Sequence, residues 1–157
     1  MLDSPVSGAK AGAEAGTLTL MIGGDESLVK KMEPVLQAVG TNIFYLGGIG
    51  LGEVAKLANN IMVVNNTLSS TEGLFFAMKA GIPLKTILEL IKLSTGNSWV
   101  IEYWSLMASV KNDRRPGSTV ELMYKDLKLA LEYSKTINAD LPLSSHSINL
   151  DLYKLPE

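Results

Sequence analysis

Lys56 and Asn60 stand four residues apart in Glu53-Val54-Ala55-Lys56-Leu57-Ala58-Asn59-Asn60-Ile61-Met62-Val63-Val64-Asn65-Asn66-Thr67-Leu68. No further charge follows Lys56 until Glu72. The spacing puts an amine and a carboxamide on one face of a helix. An ammonium bordering so apolar a helix is expected to be partly desolvated, which favours its neutral form and suits it to proton transfer. The alternative reading is a surface lysine at a helix start, its stem on the apolar face and its ammonium in water.

The elements that must position this pair fall into two zones. In the first, Thr17-Leu18-Thr19-Leu20-Met21-Ile22 predicts a strand closed by Gly23-Gly24. Asp25 predicts an N-cap for a helix to about Val39, ended by Gly40. Asn42 to Leu46 predicts a further strand, closed by Gly47-Gly48. Leu2-Asp3 reads as the tail of a strand entering the turn Pro5-Val6-Ser7-Gly8, and the small residues Ala9 to Gly16 read as a loop.

The second zone reads as helical. A long helix is predicted from about Gly52 to Ala80, stopped by Gly81 and Pro83. Shorter ones follow over Leu84–Leu93 and from Ser98 to about Val110, then a loop at Arg114-Arg115-Pro116-Gly117. Another long helix runs from Glu121 to about Ile137, with Leu122, Leu127, Leu129, Ala130, Leu131 and Tyr133 on its apolar face. Leu143–Leu155 closes the chain. Trp99, Tyr103 and Trp104 are expected to pack between helices. Asn65 and Asn66 are expected to find partners across a helix interface.

Composition bounds the function. The chain has 157 residues, 46% hydrophobic and 19% charged, enough for one ordinary domain with a buried core. A net charge of −2 argues against nucleic-acid or anionic-membrane partners. Cysteine is absent and His146 is the one histidine, so neither a disulfide framework nor a cysteine- or histidine-rich metal cage is expected. His146 itself reads as a solvated or capping residue. The proline-broken start does not resemble a signal peptide, and the uncharged stretch from Leu57 is too short and too rich in asparagine to span a bilayer. A soluble, cytoplasmic protein is expected.

Gly50-Leu51-Gly52-Glu53-Val54-Ala55 fits the outline G-x-G-x-x-A of a dinucleotide-binding turn. The context does not fit. No second strand follows, and the next acid, Glu72, falls inside the predicted helix rather than on a ribose-binding strand. These glycines read as a hinge between the zones.

Three blocks together resemble the β-hydroxyacid dehydrogenases. The first is Leu2-Asp3-Ser4-Pro5-Val6-Ser7-Gly8 with Gly12-Ala13 and Gly16 to Gly24, similar to that family's substrate-site signature. The second is Gly50 to Asn60, similar to its catalytic-lysine motif. The third is Tyr124-Lys125-Asp126-Leu127-Lys128-Leu129-Ala130. The resemblance implies an NAD- or NADP-dependent oxidoreductase acting on a short 3-hydroxy acid or its semialdehyde. It makes Lys56 the general acid/base, its ammonium also stabilising the developing alkoxide. Asn60 would hydrogen-bond the substrate near the reacting oxygen. Ser7 and the backbone at Gly8 would hold the substrate carboxylate, since glycine lets an anion approach the chain closely. Lys125 would reach the cofactor, and Asp126 would orient Lys125 or cap structure.

Three positions depart from the family pattern. Ala9 stands where a second glycine is usual, Glu53 where glutamine is common, and Ser118 where an aromatic is frequent. The resemblance covers the family's last nucleotide-domain strands and its helical domain, and the chain starts inside the substrate motif. The expected fold class is therefore mainly α: a remnant of a Rossmann-type domain over residues 1–48, then an all-helical catalytic and dimerisation domain over residues 49–157. Negligible turnover by the chain alone and a homodimer are both expected, the latter because unpaired strand edges and long apolar helices seek partners. The competing readings are a non-enzymatic helical dimerisation module and a carboxylate binder without turnover.

Overall fold

The computed structural model describes residues 1–106 and 119–150 and divides into two compact units, Met1–Asn59 and Asn60–Glu157. The predicted loop at Arg114–Gly117, Ser118, the end of the helix predicted to reach Val110 and the last residues to Leu155 lie outside the described residues.

The first unit contains β1 (Leu2–Asp3), β2 (Val6–Ser7), α1 (Ala9–Ala15), β3 (Thr19–Gly24), α2 (Glu26–Val39), β4 (Asn42–Tyr45) and the start of α3 (Leu51–Lys79). β3 organises the sheet. Leu2 and Asp3 pair antiparallel with Gly24 and Gly23, and Val6 and Ser7 pair antiparallel with Leu20 and Thr19. β4 runs parallel to β3, from Thr19↔Asn42 to Ile22↔Tyr45. The interruption between β1 and β2 falls at Ser4-Pro5, where proline lacks the N–H a ladder needs; the Pro5 carbonyl still accepts from Met21 N at 3.0 Å. Leu18, Leu20, Ile22 and Val29 are buried together, with Leu2, Leu36 and Ile43 around them.

Helix α2 starts as its sequence predicts. The Asp25 carboxylate accepts from Leu28 N at 3.0 Å and from the Ser27 hydroxyl. The Ser27 bond, and then the backbone amides, hold the Asp25 carboxyl below the usual carboxylate range. Residues 9–16, expected as a loop, are the helix α1. Gly12 N bonds Gly8 O, Lys10 pairs with Glu14 at 3.5 Å, and Gly16 closes the helix at φ 66°. Alanine's helix propensity and a left-handed glycine stop outweigh the loop-like composition.

The expected fold class needs correction. The chain is not mainly α with a minor remnant ahead of it: its N-terminal part is an α/β unit with a sheet of four strands and a buried cluster of its own. The reason is the β3-α2-β4 crossover, which makes two strands parallel, with β1 and β2 adding antiparallel partners to β3.

In the second unit the described elements are helices: the rest of α3, α4 (Leu84–Lys92), α5 (Trp99–Glu102), α6 (Thr119–Thr136) and α7 (Pro142–Ser147). α3 buries Val64, Leu68, Thr71, Leu74 and Ala77, a stripe at helical spacing. Val64 and Leu68 pack with Val100, Val120, Met123 and Leu127, whereas Leu74 and Ala77 pack with Ile87 and Ile101. The buried face of α6 is Val120, Met123, Leu127, Ala130 and Ser134; Leu122, Leu129 and Tyr133, expected on it, are exposed. Trp104 packs against both clusters, but Trp99 and Tyr103 stay half exposed with ring centroids 4.7 Å apart. Asn65 has the partners expected of it: it donates to Ser144 Oγ at 3.2 Å and accepts from Ser147 Oγ at 2.8 Å. His146 is exposed in the last turn of α7.

Candidate active site

Within the first unit, Lys56 lies in the second turn of α3 and is half-buried. Its Nζ donates to the Val6 carbonyl at 2.7 Å. Val6 precedes Ser7, and β2 carries both along β3. The chain then turns at Gly8, whose φ of 131° strains any residue with a Cβ; a Cβ there would also stand 3.0 Å from Leu18 Cδ2. Ala9 follows at φ 51°, in the left-handed region where the usual glycine is at ease. The amine and the Ser7-Gly8 turn are thus brought together.

The start of α3 rests directly on the sheet. A Cβ on Gly52 would meet the Met21 carbonyl and would stand 2.5 Å from Asp3 Oδ2. The hinge reading of these glycines is therefore corrected: Gly52 is buried helix, and its missing side chain lets the helix approach β3. Gly50, at φ 90°, makes the turn that leads into it. Asp3 Oδ1 accepts from Gly50 N at 2.6 Å and Oδ2 accepts from Glu53 N at 3.0 Å. Sequence reasoning did not single out Asp3. Its partners lie 47 and 50 positions away, beyond any local capping pattern.

In the second unit, Asn60 Nδ2 donates to Asp126 Oδ2 at 2.5 Å, and Lys125 Nζ pairs with Asp126 Oδ1 at 2.8 Å. The Asp126 side chain is 14% exposed and that of Lys125 is 59% exposed, so the carboxylate is fixed while the lysine stem reaches solvent. Of the residues expected at the site, Ser7, Gly8 and Lys56 thus group in one unit and Asn60 and Lys125 in the other. α3 carries both Lys56 and Asn60, one helical turn apart. Among the described residues no group of three or more His, Cys, Asp or Glu side chains is placed to hold a metal ion. No described helix is long and apolar enough to cross a membrane.

Two family models match the chain. Residues 1–47 match the NAD binding domain of 6-phosphogluconate dehydrogenase, and residues 50–150 match the NAD-binding domain of NADP-dependent 3-hydroxyisobutyrate dehydrogenase. Both define nicotinamide-dependent dehydrogenases, whose cofactor is NAD or NADP. The chain belongs to the β-hydroxyacid dehydrogenase family. It is 38% identical to 2-(hydroxymethyl)glutarate dehydrogenase of Eubacterium barkeri, over 92% of this chain and 48% of that protein. It is 37% identical to the NAD-dependent L-serine dehydrogenase of Pseudomonas aeruginosa, over 99% of this chain and 53% of the relative. The structure of Mycobacterium tuberculosis 3-hydroxyisobutyrate dehydrogenase with L-serine aligns at a TM-score of 0.81 with 31% identity, over 98% of this chain and 59% of that one. The chain therefore spans about half the length, 48% and 53%, of these curated relatives.

The turn at Gly50 does not fit the cofactor's pyrophosphate. The N–H groups of Gly50 and Glu53, which such a turn would offer to phosphate, are bonded to Asp3. The exposed ammonium of Lys125 is a cation that suits a phosphate or ribose group.

Proposed function

We propose that this chain is the substrate-binding and catalytic part of an NAD(P)-dependent dehydrogenase of short 3-hydroxy acids or their semialdehydes. The observation that carries the reading is the 2.7 Å hydrogen bond from Lys56 Nζ to the Val6 carbonyl, which sets an amine beside the Ser7-Gly8 turn. Relatives named for L-serine, 3-hydroxyisobutyrate and 2-(hydroxymethyl)glutarate share one feature. Each of these molecules bears a hydroxymethyl group on the carbon next to a carboxylate. One carbon separates the reacting centre from the carboxylate carbon, so a turn that holds the carboxylate needs its proton acceptor close by.

In this reading Ser7 and the Gly8 backbone hold the carboxylate. Lys56 takes the hydroxyl proton as hydride leaves the hydroxymethyl carbon, and returns it in the direction of reduction. Asn60 donates to the reacting oxygen, and Lys125 contacts the cofactor. The nicotinamide, when bound, supplies the hydride acceptor. Residues 1–48 belong to the nucleotide-binding side and residues 49–157 to the catalytic and dimerisation side. The large exposed apolar side chains Met62, Phe76 and Leu93 support a homodimer.

The test follows nicotinamide absorbance with L-serine and 3-hydroxyisobutyrate as substrates and NAD or NADP as oxidant. The 157 residues are assayed alone and together with a family nucleotide-binding half. Turnover is expected in the second case and not the first, because the donors at Gly50 already serve Asp3. Absence of turnover with every substrate in both cases would contradict the reading.

A further inference from the structure

Asp3 ends β1, paired with Gly23 of β3, and its carboxylate occupies a slot that two glycines leave open. A Cβ on Gly23 would stand 2.5 Å from Asp3 Oδ1, and one on Gly52 would stand 2.5 Å from Oδ2. Both oxygens are used, on Gly50 N at 2.6 Å and on Glu53 N at 3.0 Å. These are amides at the start of α3, where the first turn leaves N–H groups without helical partners and the helix dipole favours a negative charge. The carboxylate does the work of an N-cap side chain, from a strand far away in sequence. Gly50, at the head of the helix, has no side chain to do it.

The next strand, β2, meets the same helix a second time. Lys56, three residues after Glu53, donates to the carbonyl of Val6, three residues after Asp3, at 2.7 Å. β1 and β2 are therefore each joined to the helix at one point, carboxylate to amides and ammonium to carbonyl. One point fixes the end of the helix; the other fixes the amine. A rigid helical turn links them, so the first contact sets the height and rotation from which Lys56 reaches the Ser7-Gly8 turn.

We infer that Asp3 is a positioning residue for Lys56. It holds the first turn of α3 on the sheet and so sets the amine against the turn that carries Ser7. The kinetic consequence rests on the dehydrogenase reading above; the geometric one does not. A group misplaced by about 1 Å can cost ~100-fold in rate. Asparagine at this position keeps one acceptor oxygen but turns an NH₂ toward an amide N–H, so it is the milder variant.

The experiment compares wild type, Asp3→Asn and Asp3→Ala in the 157-residue chain, with a family nucleotide-binding half added for the kinetics. Three readings are taken: hydrogen exchange at the Gly50 and Glu53 amides, the Lys56 side-chain NMR signal at neutral pH (assigned with Lys56→Arg), and kcat and KM. The expected result is faster exchange at both amides in Asp3→Ala and at one in Asp3→Asn. The Lys56 signal moves in the same order. kcat falls ~10–100-fold in Asp3→Ala, while KM for the dinucleotide stays within about twofold. A folded Asp3→Ala protein with an unchanged Lys56 signal would overturn the inference. Should Asp3→Ala not fold, the Asp3→Asn signal decides in the same way. Wild type lacking turnover contradicts the dehydrogenase reading alone, because the exchange and NMR readings need no substrate.

Discussion

Asn60 donates its carboxamide to Asp126 at 2.5 Å, and the same carboxylate holds Lys125 at 2.8 Å. One largely buried acid thus fixes two side chains that the family motifs mark separately. The two bonds are unequal in worth. The Asn60 bond is to a charged group out of water, whereas the Lys125 pair is mostly solvated and screened.

Asp126→Ala is therefore expected to lower unfolding free energy by about 1.5–3 kcal/mol. Lys125→Ala should cost less than about 1 kcal/mol. The two variants part ways in kinetics under the proposed roles: Lys125→Ala raises KM for the dinucleotide, and Asp126→Ala also raises KM for the hydroxy acid. Urea denaturation and initial rates measure both.

Asn65 ties α3 to α7 through Ser144 and Ser147, both buried. Asn65→Ala strands the Ser144 hydroxyl, while Ser147 keeps its bond to the Leu143 carbonyl. A loss of about 1–3 kcal/mol is expected. Coupling between Asn65→Ala and Ser147→Ala in a double-mutant cycle should be of the order of 0.5 kcal/mol or more.

Ala9 holds φ 51° directly after the Ser7-Gly8 turn. A left-handed residue with a Cβ costs roughly 1–2 kcal/mol, and glycine gives back about 0.5–1 kcal/mol in chain entropy. Ala9→Gly should stabilise the protein by about 1 kcal/mol or less. Thermal melting checks the sign: a lower melting temperature contradicts a strained Ala9.

The parts of the fold written in local pattern were legible. Asp25 caps α2 and Gly40 follows its end; α3 runs within a residue of its predicted limits. Failures came where partners lie far apart in sequence. The apolar residues of α6 outnumber the places in its buried face, and which of them turn inward is decided by α3 and α5, so Leu122, Leu129 and Tyr133 were misassigned. The glycines at Gly50 and Gly52 looked like a hinge because their reason, the backbone of β3 and the Asp3 carboxylate, belongs to another part of the chain. The mainly α reading failed for a related reason. Leu2-Asp3 and Val6-Ser7 are too short to announce a sheet, and become strands only because β3 has an edge to pair. At the site, the family motif pointed to Lys56, whereas Asp3, although inside the first family-like block, carries no local sign of its partners at Gly50 and Glu53.

The central claim is that the Lys56 amine beside the Ser7-Gly8 turn moves the substrate proton. The most direct measurement is kcat of Lys56→Ala against wild type, each assayed together with a family nucleotide-binding half, with L-serine or 3-hydroxyisobutyrate and saturating dinucleotide. Loss of a general acid/base predicts a fall of ~10²–10⁴-fold with the dinucleotide KM unchanged. A folded variant that turns over within about twofold of wild type would contradict it.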